Sequence, residues 1–435
     1  MSYTNYANSN FNSTKIPYDD IPISRKQNSG KKFDRSSFGF KVFIAVVAVL
    51  FIANIILCFT TFYAIKHSVI KEVKVYENNI TATGDTSSLA SSTAWFSSVC
   101  VAAGYGQPSA TEISTDAFYG GTSSRGSGVI FKTDKTNNLI YFITCYHVIQ
   151  NYESSVYIMF PSKLKAQKAS VVGYSKDLDI AVLSMENTDN CEGCLQLQQY
   201  DTAYLSLGEQ VYAVGNSLSG GLSVTNGLIS RINTLIRVED NKFYTREIQT
   251  SAEINPGNSG GGLFNAEGKF IGLVNAKLNS TQSNGTSIVV TGTAYALPGN
   301  FVISVANSII YNGGNPTSID LEFDFYHNED YGREWVEIEI GRYVEKYCVK
   351  VGNVPMTSSA FGKLSSGDQV ISFSYVDIFG KQHKDVPMYN KYSFDDIKYV
   401  VMRGSQIEFK VKTALGDPNN PKTIIVNASD ITTAN

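Results

Sequence analysis

Hydrophobic periodicity is absent from residues 1–41, where Ser, Asn and Tyr recur without an apolar stripe, so this stretch reads as disordered. Val42–Ile65 then runs 24 residues without a charge. As a helix it would be roughly 36 Å long, enough to cross a bilayer with some tilt. Mixed charge and a Thr/Ser-rich run follow in residues 66–92, which read as a flexible stalk. From Trp95 the texture changes to short β-branched and aromatic runs broken by Gly and Asn. These runs are Ser98–Ala102, Gly128–Phe131, Ile140–Cys145, Ser170–Gly173, Ile180–Ser184, Gln210–Val214, Gly227–Arg231, Lys269–Asn275 and Ser287–Ala296. Many short strands with turn signals between them predict a β-barrel or sandwich over residues 93–311. Val302, Val305, Ile309 and Ile310 mark Phe301–Tyr311 as its closing helix. Residues 312–318 read as a Gly/Pro-punctuated linker.

Strand-like patterning resumes at Trp335–Ile340, Tyr347–Val351, Gln369–Tyr375 and Gln406–Lys412. A helical pattern stands at Ser393–Met402, with Ser393 as N-cap, Asp395 and Asp396 in the first turn, and Gly404 ending it. Residues 319–416 thus predict an α+β domain of ordinary size, and residues 417–435 a polar tail.

At 435 residues the chain exceeds one ordinary domain. Its formal charge is −3, and no long basic block stands outside the N-terminal segment, which argues against nucleic acid as a partner. From Arg25 to Lys41 six basic residues stand against one acid, Asp34. That cluster places the N-terminus in the cytoplasm and everything after Lys66 outside it. A cleaved signal peptide fits less well, because the preceding segment is long and no small-x-small site follows the apolar run. Six cysteines are present, and Cys58 lies inside the apolar run. The remaining five, Cys100, Cys145, Cys191, Cys194 and Cys348, are odd in number, so at least one thiol stays unpaired within a monomer. Cys191-Glu-Gly-Cys194 reads as a local turn disulfide or two free thiols rather than a zinc half-site, since no second Cys/His pair has matching spacing.

The candidate chemistry centres on Glu253-Ile-Asn-Pro-Gly-Asn-Ser-Gly-Gly-Gly-Leu-Phe264. A glycine-packed loop of this kind holds a serine hydroxyl out of a rigid scaffold and aims backbone N–H groups at a neighbouring point, as acyl transfer requires. Taken alone, it is equally a tight turn. A base and an orienting acid are needed. Of four histidines, His147 alone lies in the β-rich region, at the end of the apolar run Tyr141–Tyr146. Asp179 directly precedes the apolar run Ile180–Leu183, and Asp177 is its rival. By strand alternation both would share a face, so pattern alone does not choose between them.

The order His147, Asp179, Ser259 is that of chymotrypsin-like proteases, and the local sequences resemble the HtrA/Deg branch. Ile143-Thr-Cys-Tyr-His-Val-Ile149 is similar to that family's Thr-Asn-x-His-Val-Val, and Asp177-Leu-Asp-Ile-Ala-Val-Leu183 to its Asp-Ile-Ala-Val-Leu. Ile254-Asn-Pro-Gly-Asn-Ser-Gly-Gly261 nearly reproduces its nucleophile loop. Gly126–Ile130, Val214–Ser217, Asn226–Ser230 and Gly272–Asn275 match family strands in order. The resemblance covers residues 95–300 and implies a double six-stranded β-barrel. It also implies Ser259 as nucleophile, His147 as general base and Asp179, chosen over Asp177, as the acid that orients it. Gly257 and Ser259 supply the oxyanion-hole N–H groups, and no metal or organic cofactor is required.

The resemblance implies polypeptide substrates, with Glu253, Ile254 and Lys277 at the primary specificity pocket. Glu253 stands where the family usually has a small residue. One reading gives the pocket some preference for basic residues; the other turns Glu253 away or neutralises it with Lys277. Ser358-Ser-Ala-Phe-Gly-Lys-Leu-Ser-Ser-Gly-Asp-Gln-Val-Ile371 resembles a PDZ domain, which implies capture of a C-terminal peptide, although the carboxylate-binding loop is not evident. Trp95 and Phe96 are expected either at a trimer contact, as in HtrA-like assemblies, or over one end of their own barrel. The expectation is therefore a membrane-anchored serine endopeptidase. The alternatives are a catalytically silent sensor with the protease fold and a secreted protease of glutamyl-endopeptidase type.

Overall fold

The computed structural model describes residues 45–46 and 87–431, apart from 162, 189–190, 192, 238–243, 278–279, 284–285, 290–292, 329–331, 340–341, 414–419 and 428. Except for Ala45 and Val46, the apolar segment 42–65 lies outside the described residues, as do the N-terminal segment 1–41 and most of the stalk. Among the described residues no helix is long and apolar enough to cross a membrane. Residues 83–435 form one compact unit.

The chain is mainly β. Seven strands make the first sheet: β1 (Ser98–Ala103), β2 (Glu112–Ser114), β3 (Ser124–Asp134), β4 (Leu139–Thr144), β5 (Val156–Met159), β6 (Lys165–Ser175) and β7 (Ile180–Glu186). Their order is β2-β6-β5-β1-β3-β4-β7, and β6 also pairs with β7. That extra pairing closes six of the strands into a barrel, with β2 attached outside. The second closed barrel has the order β10-β15-β12-β11-β8-β9. It consists of β8 (Gln210–Gly215), β9 (Ser223–Arg237), β10 (Tyr244–Thr250), β11 (Gly262–Asn265), β12 (Phe270–Lys277) and β15 (Ala294–Pro298). Between β12 and β15 stands the hairpin of β13 (Ser280–Ser283) and β14 (Thr286–Val289), so the single strand expected over Ser287–Ala296 is two. Closure leaves neither barrel with an unpaired edge, which is how an all-β body avoids pairing with its neighbours.

Burial explains the apolar runs. Ile180, Ala181, Val182 and Leu183 of β7 are all fully buried, one face in the barrel and the other beneath a helix. Among the helices of eight residues or more, α1 is Ser87–Phe96, and the covering helix is Gly299–Asn312, which we call α2. Gly313 closes α2 in the left-handed conformation, φ 62°, where glycine carries no Cβ penalty. Residues 87–92, expected within the stalk, are thus helical. Ala90 and Ala94 of α1 are small enough to lie buried against the barrels, and composition alone hid that face. Trp95 packs against the main apolar cluster and Phe96 is exposed.

Residues 318–431 hold strands and turns, with no α-helix among the described residues. Strands Phe325–Tyr326, Val349–Val351, Gln369–Val376, Gln406–Lys412 and Lys422–Asn427 form one sheet in that order, and Gln382–Pro387 pairs with Gln369–Val376. The expected helix Ser393–Met402 is instead a run of turns. Bonds of both i−4 type (Asp396 to Tyr392) and i−3 type (Ile397 to Phe394) occur, and Met402 donates to Val376 of the sheet. Ser393 does not cap a helix; its hydroxyl accepts from the N–H groups of Tyr389 and Asn390. The expected polar tail is corrected too. Lys422–Asn427 extends the sheet with Val426 fully buried, and Ser429–Ile431 pairs with Ser318–Asp320. Arg246 of β10 forms a buried ion pair with Asp396, and Phe301 meets Tyr399 with ring centroids 5.8 Å apart.

Candidate active site

The site lies where the two barrels meet. After β4 ends at Thr144, Cys145 is extended and Tyr146–Ile149 make a single helical turn, so His147 stands on that turn rather than on the strand. Asp179 closes the four-residue turn before β7 with φ 53°, a left-handed conformation that Asp tolerates better than most residues. In this conformation its main chain and side chain both reach the helical turn. Its carbonyl accepts from Tyr146 N–H at 3.2 Å, and Oδ1 accepts from His147 N–H at 2.8 Å. Oδ2 lies 2.6 Å from His147 Nδ1. Asp177, in the same turn, is exposed. Burial alone would lower the His147 pKa. The hydrogen bond and charge of Asp179 outweigh it and leave the ring above its ordinary 6.5.

Ser259 comes from the second barrel, on the loop between β10 and β11. Gly257 has φ 98°, and a Cβ there would lie 2.2 Å from the Asn216 carbonyl oxygen; at Gly260, φ 82°, a Cβ would meet the Ser127 carbonyl at 2.3 Å. Both positions therefore demand glycine. The Pro256 carbonyl accepts from Leu218 N–H at 2.8 Å, which turns the Gly257 N–H the opposite way across the trans peptide. Among the described residues neither the Gly257 nor the Ser259 N–H donates a hydrogen bond within the chain. The Ser259 hydroxyl donates to the Asn275 carbonyl at 3.5 Å, and no hydrogen bond joins it to His147 among the described residues.

Ser127 of β3 fastens the two halves together, a role its sequence context did not disclose. Fully buried, its hydroxyl donates to the Gly257 carbonyl and accepts from Asn216 N–H, both at 2.7 Å. Its N–H donates to the Ser259 carbonyl at 2.8 Å, and its carbonyl accepts from the Thr144 hydroxyl at 2.7 Å. Ser127→Ala strands one buried donor and one buried acceptor. We expect a loss of about 1–3 kcal/mol in urea unfolding, with kcat falling more than KM rises; unchanged values for both would refute this role.

Glu253 is exposed, and its carboxylate accepts from Asn255 Nδ2 at 3.2 Å. Ile254 is buried in the core of the second barrel. The Lys277 side chain lies outside the described residues. Cys100, Cys145, Cys191, Cys194 and Cys348 are all free thiols, so Cys191 and Cys194 form no disulfide. Cys145, Asn275 and Glu247 form a buried polar group behind the site that sequence did not single out. Cys145 Sγ approaches the Val274 carbonyl at 3.4 Å and Asn275 Oδ1 at 4.0 Å. Burial, reinforced by Asp179, pushes its thiol well above the usual 9.0. Cys145, His147 and Asp179 bring ligand-type atoms within 4.8 Å of one another, but the imidazole Nδ1 and the carboxylate are already bonded to each other.

Two closed barrels, a histidine–aspartate pair and a glycine-rich serine loop stand together here, and residues 126–273 match the family described as trypsin-like peptidase domain. Over this region the chain resembles the HtrA-type serine proteases. The Serine protease Do-like HtrA of Lactococcus lactis subsp. lactis (strain IL1403) is 36% identical over 215 residues, 48% of this chain and 50% of its own. That of Bacillus subtilis (strain 168) is 32% identical over 205 residues, 46% of this chain and 42% of its own. The chain spans about half the length of the curated relatives it matches. Among solved structures, the HtrA-type protease AlgW with tripeptide aligns with a TM-score of 0.48 at 19% identity, over 79% of this chain and 97% of that one.

Proposed function

We propose that the chain is a membrane-anchored serine endopeptidase that cleaves polypeptides outside the cytoplasm. The observation that carries the reading is the His147–Asp179 pair, held by two hydrogen bonds, at the junction with a loop whose Gly257 and Ser259 N–H groups are unengaged among the described residues. Ser259 Oγ turns from the Asn275 carbonyl toward His147 Nε2 and attacks the substrate carbonyl carbon while His147 takes its proton. The carbonyl oxygen gathers negative charge, which the Gly257 and Ser259 N–H groups receive. His147 then passes the proton to the departing amine, and water repeats the sequence to release the acyl group. Asp179 holds the imidazole in the tautomer that presents Nε2 as acceptor.

The uncharged run 42–65 behind six basic residues supports the anchor and the outward-facing protease. The resemblance at 358–371 supports a PDZ-like role for the C-terminal domain as a peptide-docking module, and the exposed Phe96 supports a homotrimer in the manner of HtrA-like proteins. The engagement of Ser259 with Asn275 favours a second reading, a resting protease-fold sensor.

Labelling of the full chain by a fluorophosphonate, with unfolded casein present and lost in Ser259→Ala, supports the protease reading; no labelling of the wild type selects the sensor. The base must be neutral, so kcat/KM rises with pH through the His147 pKa. Because Asp179 raises that pKa, the acid limb falls above the ordinary 6.5. A limb below that value would contradict the role given to Asp179.

A further inference from the structure

β10 carries a fully buried acid, Glu247, into the interior of the second barrel. Its Oε1 accepts from Asn275 Nδ2 at 3.2 Å, while its Oε2 has no hydrogen-bond partner among the described residues. Thr234, directly opposite it across β9, has a hydroxyl that is likewise buried without a partner. Asn275 in turn sits at the register shift of β12 between Val274 and Ala276, so the ladder to β15 does not fix it. What fixes it is its side chain. Through Asn275 the acid touches both halves of the site: the Asn275 carbonyl faces the Ser259 hydroxyl at 3.5 Å, and Asn275 Oδ1 faces Cys145, two residues before His147.

We propose that Glu247 is a positioning residue for the nucleophile, acting as a neutral carboxylic acid that holds Asn275, and with it the main-chain carbonyl opposite Ser259, in place. This deepens the protease reading and rests on it. A buried carboxylate needs a cation or several donors, and Glu247 has one Asn amide. The charged and titratable groups acting on it are Asp179 and Cys145 from the first barrel and Arg246 on its own strand. Arg246 is already paired with Asp396. Burial is the largest influence on Glu247; the nearby Thr245 hydroxyl and the Asn275 amide offset only part of it, and its pKa is raised to about 8. Ionisation brings a second negative charge toward Asp179. The carboxylate then draws in water and pulls Asn275 from its bulge, and the added charge also favours protonated His147, which is no base.

The test compares Glu247→Gln, which keeps a neutral group of the same shape, with Glu247→Ala. In the full chain, wild-type kcat/KM on casein should fall above pH about 8. Glu247→Gln should retain neutral activity within about three-fold and lose that alkaline limb, and Glu247→Ala should lose about ten-fold or more in kcat with KM little changed. An unchanged alkaline limb in Glu247→Gln overturns the proposal, even where Glu247→Ala fails to fold. A second readout needs no turnover. In Ser259→Ala protein the Asn275 side-chain amide resonances should titrate over the same pH range and become flat when Glu247→Gln is added; a flat response with Glu247 present also overturns it. A titrating Asn275 amide in a wild type that takes no fluorophosphonate would remove the protease reading, and with it the positioning role, and leave only the coupling of Glu247 to Asn275 standing.

Discussion

Asp179→Asn should lower kcat by about 10⁴ without unfolding the protein. The fold is spared because Asn accepts the left-handed conformation that residue 179 adopts at φ 53°. Its amide oxygen can still accept from His147 N–H, where Asp179 Oδ1 now accepts at 2.8 Å. The damage lies at the other oxygen. Replacing Oδ2 with an NH₂ group puts a donor 2.6 Å from His147 Nδ1, so the ring turns over to the tautomer whose proton sits on Nε2. That proton blocks acceptance from Ser259. The charge that stabilised the imidazolium is also gone, which lowers the pKa of the ring. Steady-state kinetics beside circular dichroism would check this: a loss under about ten-fold, with fold intact, would mean that the pair does not orient the base.

Asp396→Ala should destabilise residues 87–431 by about 3–5 kcal/mol. Arg246 and Asp396 are both nearly inaccessible, with side chains 11% and 8% exposed, and burial pushes the Asp396 carboxyl up even though Arg246 pulls it down. Removing the acid leaves a guanidinium that keeps Asn233 at 3.3 Å and the Tyr392 ring at 5.1 Å, neither of which neutralises it. The variant with both charges replaced by apolar residues of similar volume should recover most of the loss, because the penalty comes from the stranded charge rather than from the missing attraction. Guanidinium unfolding of the three proteins measures this. A single substitution costing under about 1 kcal/mol would place Arg246 in reach of water.

Much of the site was legible because its parts are short contiguous stretches whose chemistry is local. Gly257 and Gly260 could be read as glycines that the backbone demands, and the structure supplies the atoms, the Asn216 and Ser127 carbonyls, that demand them. The choice between Asp177 and Asp179 was illegible from pattern, for a physical reason. Alternation by two holds on a strand, and both residues lie in a turn, where a left-handed residue redirects the chain. β10 escaped notice because Tyr-Thr-Arg-Glu-Ile-Gln-Thr carries too many polar residues to read as a barrel strand. Arg246 and Glu247 are buried by particular partners, which a hydrophobic pattern cannot register. Ser393–Met402 failed in the opposite sense. Its cap and charges suit a helix, but bonds to Val376 of the sheet and to Ile378 in the turn after it hold it in irregular turns. Lys422–Asn427 was hidden by polar neighbours on both sides, and only Val426 is fully inside.

The division of the site between two barrels has one more consequence. His147 and Asp179 belong to a body closed upon itself, Ser259 belongs to another, and the segment between 187 and 209 straps them, with Leu197 N–H bonded to the Ile130 carbonyl of the first and Tyr200 N–H to the Phe270 carbonyl of the second. On the proposed reading, the protease in this respect behaves like a heterodimer whose subunits share a strap. Turnover then gauges the docked fraction of that internal dimer, and on heating it should fade while both ladders are still intact to spectroscopy.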